Sequence, residues 1–188
     1  MSDGGFAPIQ TERLVLRRFA ARDAAAFRAY RDDPEVARWQ GWSGCSEAEA
    51  EAFVADMAVA AWDRPGQWFQ VAIADRATDG LVGDIGVHVL ADDARLVELG
   101  ATLAAAAQGH GYATEALDAL IRHLFVDLGK HRLQASLDPR NRSSAALFER
   151  LGFRREAQFR RSVWIKGEWC DDDVYALLAE DRGGRDAA

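Results

Sequence analysis

A mixed α/β fold follows from three observations. Residues 68–74, 81–90 and 96–103 are rich in β-formers and are separated by Thr78-Asp79-Gly80 and Ala91-Asp92-Asp93-Ala94. They read as an antiparallel meander of three strands. The glycine-rich stretch Gln108-Gly109-His110-Gly111-Tyr112-Ala113 follows, and after it Leu117, Leu120, Ile121, Leu124, Phe125 and Leu128 recur at helical spacing on one face. Residues 131–137 then read as a strand, so the long helix is a crossover between parallel neighbours with a right-handed connection.

The remaining elements follow in chain order. Residues 14–19 form the first strand. Residues 21–30 form a short helix with Phe27 and Tyr30 on one face, broken at Asp32-Asp33-Pro34. Pro34 opens a second short helix through Trp39. Trp39 to Gly44 is an aromatic, glycine-containing loop whose tryptophans either line a pocket or pack as a local cluster. Ser46-Glu47-Ala48-Glu49 has the form of a capping box, and the helix it opens runs to about Ala61. Gly129 suits the residue after the long helix, with Lys130 and His131 near the helix's negative end. Residues 138–144 are a polar loop, 145–151 a short helix stopped by Gly152, and 153–163 with 170–178 a hairpin through Lys166-Gly167. Without repeat or linker, residues 1–188 read as one domain, ordered over about 10–181 with frayed ends.

Composition bounds the function. A formal charge of −7 argues against broad nucleic-acid binding, which carries a basic footprint. An acidic surface favours a cationic substrate such as an amine, although solubility alone accounts for such a charge. No apolar run approaches the roughly 20 residues of a membrane span. The first residues, Met1-Ser2-Asp3-Gly4-Gly5, lack the basic and apolar regions of a signal peptide. Cys45 and Cys170 have neither scaffold nor zinc-site spacing, which points to free thiols and a cytoplasmic location. The Gln108–Ala113 turn presents free N–H groups and the positive end of a helix dipole, the surroundings that hold a phosphate or pyrophosphate. A plain strand-to-helix turn has the same residues. A P-loop is excluded, because no Gly-Lys-Ser/Thr follows the glycines.

Four stretches in order make the chain resemble the GNAT superfamily of acyl-CoA-dependent N-acyltransferases, within it the RimJ/RimL-like branch. Gln108-Gly109-His110-Gly111-Tyr112-Ala113, continuing into Thr114-Glu115, matches the family's pyrophosphate motif. Glu98-Leu99-Gly100 sits where that branch has an acidic residue. Asn141-Arg142-Ser143-Ser144 with Leu151-Gly152-Phe153 matches the N-x-x-S…L-G-F signature. Thr11-Glu12-Arg13-Leu14 and Asp171-Asp172-Asp173-Val174-Tyr175 resemble the terminal marks of the branch.

The resemblance implies a twisted, largely antiparallel sheet of six to seven strands with helices on both faces. It also implies a V-shaped splay between the strand ending near Leu103 and the strand starting near Arg132. The activity implied is transfer of an acetyl group from acetyl-CoA to an amine by direct attack, without a metal. CoA would lie along a bulged strand at Leu103 and against Gln108, Gly109, His110, Gly111, Tyr112, Ala113, Thr114 and Asn141. The implied roles are Leu103 N–H donating to the thioester oxygen, Glu98 as general base and Ser144 hydrogen-bonding the leaving sulfur. Many family members have a tyrosine in the short helix for that last role; here the corresponding residue is Phe148, which has no proton to give. Glu98 otherwise reads as a solvated glutamate, and Ser144 and Asn141 as helix caps. Arg140 and Arg142 either meet the 3′-phosphate of CoA or lie in a solvated loop; His88 and His123 read as core or surface residues. The expected acceptor is a protein N-terminal amine or a small-molecule amine, held by loops around Trp39, Trp42 and Trp62, and a homodimer is compatible. A longer acyl donor such as succinyl-CoA and a non-catalytic acyl-CoA sensor are the alternatives.

Overall fold

The computed structural model describes residues 5–183. Eight strands form one sheet: β1 (Ile9–Gln10), β2 (Leu14–Arg17), β3 (Trp68–Asp75), β4 (Leu81–Val89), β5 (Leu96–Leu103), β6 (Arg132–Leu137), β7 (Arg154–Ile165) and β8 (Glu168–Leu178). Their order is β1-β2-β3-β4-β5-β6-β8-β7. Every neighbouring pair is antiparallel except β5 and β6, which run parallel as the helical crossover requires. The eighth strand, beyond the expected six to seven, is β1; two residues are too few to carry a periodic signal.

Strand alternation divides the sheet into two faces. One carries Phe69, Val71, Ile73, Ile85, Val87, Val97, Leu99 and Leu133 and buries them beneath α4 (Tyr112–Arg122) and α5 (Arg142–Arg150), where Leu117, Leu120, Ile121 and Phe148 pack. The other face meets α1 (Ala24–Arg31), α2 (Pro34–Ala37) and α3 (Glu47–Val59) through a smaller cluster of Phe19, Phe27, Tyr30, Val36, Ala50, Val54 and Ala72. Arg17 on β2 closes this side as a buried ion pair with Asp23, through bonds of 2.7 and 2.9 Å. Helices therefore cover both faces, as expected.

Local chemistry sets the boundaries. Ser46 accepts from Glu49 N, while the Glu49 carboxylate takes Ser46 N at 2.8 Å, completing the capping box of α3. The long helix does not stay α-helical: past Arg122 it widens into a π turn over His123–Asp127, with Leu128 N bonding His123 O at 3.1 Å. Gly129 then takes a left-handed φ of 62°. Lys130 is buried rather than solvated at the helix end; its ammonium holds Asp63 and the Ala94 carbonyl and so ties two loops together. Lys166 and Gly167, with φ of 49° and 84°, make the tight β7–β8 turn.

Order extends further at both ends than residues 10–181. Phe6 is buried against Trp62 and Phe69, at ring separations of 4.7 and 5.8 Å, because an aromatic side chain seals that end of the core. At the other end, α6 (Ala179–Gly183) replaces the expected fraying from residue 180, and Arg182 reaches Asp118 at 2.7 Å. Residues 1–4 and 184–188, also expected to fray, lie outside the described residues.

β4 and β5 approach closely where Gly83 faces Leu103. A methyl group at Gly83 would lie 2.3 Å from the Thr102 carbonyl oxygen, whereas one at Gly100 would meet nothing within 4 Å. Gly83→Ala is therefore expected to cost about 1–3 kcal/mol through overpacking, and Gly100→Ala less than about 0.5 kcal/mol. Urea unfolding of the two variants checks this; coincident midpoints would contradict it.

Candidate active site

The site begins where two strands part. β5 and β6 pair only over Leu96↔Arg132, Val97↔Leu133 and Glu98↔Gln134. β6 then follows β8 as far as Leu137↔Asp173, while β5 follows β4 as far as Gly83↔Leu103. Ala104 N bonds Val82 O and Leu90 N bonds Leu96 O, so the even-numbered residues of β5 exchange bonds with β4. By alternation the backbone groups of Leu99, Ala101 and Leu103 face the opening. The bulge expected at Leu103 is absent: the β4–β5 register runs without a shift. Divergence of β6 opens the gap, with no irregularity needed in β5.

At the closed end, Trp68, His88, Glu98 and Gln134 stand in one cross-strand row. The His88 ring stacks on the Trp68 indole, with centroids 4.8 Å apart and planes 15° apart. Its Nδ1 lies 4.0 Å from Glu98 Oε2 and is buried without a hydrogen-bond partner. Glu98 is half-buried rather than solvated. Loss of water pushes its pKa above the ordinary glutamate range; His88 opposes the shift and Asp172 adds to it. Between this row and the row of Asp84 and Thr102 lie Gly86 and Gly100, which face each other; the Trp68 ring and the Gln70 amide lie over Gly86, while the surface at Gly100 is an open trough.

A cavity of about 270 Å³ continues the trough into the splay. Gly100, Ala101 and Thr102 line it from β5, Ser136 and Leu137 from β6, and Asn141, Ser144 and Phe148 from α5. α5 starts at Arg142, three residues earlier than its apolar pattern indicates, because Asn141 caps it: Asn141 Oδ1 accepts from Ser144 N at 3.2 Å. Ser144 is thus inside the helix rather than its cap, and its hydroxyl makes no hydrogen bond among the described residues. Phe148 offers only a ring edge-to-face with Phe153.

Side chains that the sequence did not single out complete the walls. Asp84 is fully buried, accepts from Tyr30 Oη at 2.7 Å and pairs with Arg31 at 3.1 Å; burial pushes its pKa up. The Arg31 guanidinium lies 3.7 Å from the Trp42 ring centroid. Asp84 is the one carboxylate in a mainly apolar strand, but its partners lie more than fifty residues away in sequence. Trp39 and Trp42 both line the cavity, resolving the two readings of that loop. Trp62 does not: it packs with Phe6, Phe69 and His123 on the opposite face of the sheet. Arg140 is held by Asp138 and Glu168, at 2.7 and 3.1 Å, and Arg142 is exposed.

The glycine turn lies at the open end of β5. Gln108 Nε2 donates to Leu103 O at 3.1 Å, folding the turn back onto the strand. Gly109 and Gly111 have φ of 79° and 81°, and Gly111 starts α4 with no side chain capping the first N–H groups. A Cβ at Gly109 would meet nothing within 4 Å, so this approach is open. Arg13 braces the turn: it donates to His110 O at 2.9 Å, stacks 4.7 Å from the Tyr112 centroid and pairs with Glu115 at 2.7 Å. Thr114 Oγ1 accepts from Arg150 at 3.3 Å. Of the expected residues, the splay brings Asn141 and Ser144 into the cavity, keeps Glu98 at its closed end and sets the turn beyond Leu103.

A sheet that splays between two parallel strands, with a glycine turn leading the crossover helix, is the fold of known acetyltransferases. The Acetyltransferase (GNAT) domain model matches residues 13–154, and the chain belongs to the GNAT family of acetyltransferases. It is similar to a GNAT-family acetyltransferase of Bacillus anthracis, at 27% identity and a TM-score of 0.83, covering 93% of this chain and 99% of that one. It is also similar to Mycobacterium smegmatis RimJ in complex with CoA-disulfide, at 26% identity and a TM-score of 0.78, over 93% and 87% of the two chains. The [ribosomal protein uS5]-alanine N-acetyltransferase of Escherichia coli is 27% identical over 177 residues, 92% of this chain and 91% of that protein. Among the described residues no helix is long and apolar enough to cross a membrane.

Because folding raises the Glu98 pKa, the native state holds this proton more tightly than the unfolded chain does. The stabilising contribution is present below the ordinary glutamate pKa and is lost as pH rises through the elevated value. Glu98→Gln removes that loss. The variant is expected to melt at or above the wild-type temperature at pH 7, with the difference shrinking as pH falls toward the ordinary carboxylate range. Thermal melts across pH check this, and a variant several degrees less stable at pH 7 would contradict it.

Proposed function

We propose that the chain transfers an acetyl group from acetyl-CoA to a primary amine, of a protein N-terminus or a small molecule, by direct attack in a ternary complex. The observation that carries this reading is the splay itself. An unpaired β5 edge faces Ser144 and Asn141, with the half-buried Glu98 at one end and the uncapped N–H groups of α4 at the other.

In this reading the N–H groups of Gly109, Gly111, Tyr112 and Ala113 hold the CoA pyrophosphate at the helix N-terminus. His110, Thr114 and Gln108 flank it, with the Gln108 amide keeping the turn against Leu103. The backbone edge of β5 takes the pantetheine arm as an added strand, and Asn141 faces it across the gap while capping α5. Leu103 N–H, on the open edge, donates to the thioester oxygen as negative charge develops there. Residues 98 and 103 are about 17 Å apart along an extended strand, at about 3.3 Å per residue. The carboxylate and the oxyanion donor therefore act from opposite parts of the opening, and water links Glu98 to the reacting amine.

The acceptor arrives as ammonium, because free amines have a pKa of ~8 to ~10.4. Glu98, whose proton affinity is raised by burial, accepts one proton through that water, and the nitrogen lone pair then attacks the carbonyl carbon. The C–N bond forms and the C–S bond breaks, and the nitrogen's second proton passes through water to the departing thiolate, so that CoA leaves as the free thiol. Ser144 Oγ–H donates a hydrogen bond to the departing sulfur, a good leaving group because a thiol has a pKa of only ~8.5. The similarity to an enzyme that acetylates an alanine of a ribosomal protein supports a peptide amine among the acceptors.

Acetyl-CoA is expected to raise the melting temperature where ATP does not, and an amine panel containing alanine-initiated peptides and small amines should release free thiol. Glu98→Gln should lower turnover by about 10²–10⁴-fold, the usual worth of a general base, with CoA affinity unchanged. Ser144→Ala should lower it by about 2–10-fold, the worth of one hydrogen bond. No melting shift at millimolar acetyl-CoA would overturn the proposal.

A further inference from the structure

Arg31 stands apart among the cavity walls, because it is fixed from several sides and still has a donor to offer. Its guanidinium lies 3.7 Å from the Trp42 ring centroid and 4.7 Å from that of Phe27, and Trp42 Nε1 donates to the Arg31 carbonyl at 3.2 Å. Nη2 donates to Asp84 at 3.1 Å, and Asp84 is itself fixed by Tyr30. Stacking and pairing together hold the planar fork in one orientation. Nε is buried without a partner. Nη1 makes no hydrogen bond among the described residues, yet it is not sealed from solvent as Nε is, and Arg31 lines the cavity. An immobilised cationic donor therefore borders the space between the aromatic loop and β5.

We propose that Arg31 Nη1 clamps the carbonyl oxygen next to the acceptor's amine, so that the acceptors are peptide N-termini and other α-amino amides. The inference rests on the transferase reading above and deepens it. Position along the sheet favours it. Asp84 pairs with Thr102 across the β4–β5 ladder, and Thr102 precedes Leu103, the proposed oxyanion donor. Arg31 thus stands over the row beside the reacting carbonyl and away from the closed end where Glu98 lies. In an α-amino carbonyl compound the nitrogen and oxygen are about 3 Å apart. A hydrogen bond of about 2.9 Å brings the reach from Nη1 to about 6 Å, more than the roughly 4.8 Å between neighbouring strands. An oxygen on Nη1 therefore leaves the nitrogen over Ala101 and Thr102, within the cavity and next to the Leu103 N–H.

Charge selects which oxygen is held. Asp84 offsets Arg31, so the pair brings no net charge to the cavity. A neutral amide carbonyl matches that balance. A carboxylate would set a second anion against one cation in a partly desolvated place, which is costly. Peptides and amides are favoured over free amino acids for this reason. An alkylamine places nothing on Nη1, so it forgoes a charge-assisted hydrogen bond and the fixed attack direction that comes with it.

The test uses two acceptors of like size, L-alaninamide and sec-butylamine, which differ in the carbonyl. Arg31→Lys keeps a cation opposite Asp84 but has no second nitrogen to offer. The double variant Arg31→Met, Asp84→Asn removes the ion pair as a unit, so no charge is left buried alone. In the wild type kcat/KM should favour alaninamide, and in both variants the alaninamide to sec-butylamine ratio should fall about tenfold or more, the worth of a hydrogen bond to a charged group. The fall should lie mainly in the alaninamide KM. A ratio cancels any general loss of activity, which a merely structural role would produce, and melting temperatures control for folding. A wild type that acetylates amines without favouring alaninamide, or an unchanged ratio in either folded variant, would overturn the clamp while leaving the transferase reading intact. If the wild type acetylates no amine, the transferase reading fails instead. The clamp is then decided by calorimetric titration of CoA-saturated protein with the two compounds: tighter binding of alaninamide that is lost in Arg31→Lys supports it, and equal or no binding overturns it.

Discussion

The architecture of the site depends on how short the contact between β5 and β6 is. Three residues on each strand pair, and then each strand follows its other neighbour. Had the pairing continued, the backbone edge of Leu99, Ala101 and Leu103 would be spent on β6 and the sheet would close. Backbone polar groups left inside a fold need partners, and the interrupted ladder leaves this edge unpaired by β6; Gln108 Nε2 meets one of its groups, Leu103 O. The crossover through α4 sets the strands in place, and the crossover itself begins with the glycine turn. One chain reversal thus supplies both the uncapped helix terminus and the parallel strand pair whose divergence makes the opening.

Two carboxylates on the same sheet face, one buried and one half-buried, illustrate how surroundings divide labour. Asp84 and Glu98 are both raised in pKa by desolvation. Asp84 is sealed by Tyr30 and Arg31, and Arg31 is in turn packed on Trp42, so its charge is compensated within the protein. Breaking such a buried pair leaves an uncompensated charge, which makes it a wall rather than a reactive group. Glu98 has only an imidazole at 4.0 Å and retains access to solvent. A carboxylate with raised proton affinity and an unfilled neighbour is suited to taking a proton from an arriving amine.

Much of this was legible in the chain. The capping box at Ser46, the alternation that puts Glu98, Gly100 and Thr102 on one face, and the apolar stripe of α4 are local patterns, and local geometry obeys them. Motif order along the chain pointed to the family that the domain match identifies. The misreadings share a cause. Trp62, placed among the acceptor loops with the family resemblance in view, packs on the far face against Phe6 and Phe69. The ends were read as loose because one buried aromatic and one arginine, each anchored through distant partners, leave no periodic trace.

By itself, then, the sequence determined the elements, the face each strand residue takes and the glycine turn, since these depend on neighbours a few positions apart. Tertiary structure decided which side chains share a space. Asp84 meets α1 across 54 residues, and Arg13 reaches across 102 to brace the turn through Glu115. His88 comes to stand between Trp68 and Glu98 only because three strands register row on row. Register is a property of paired backbones, set by hydrogen bonds between distant segments. For that reason Glu98 could be recognised along the chain, while the imidazole beside it could not.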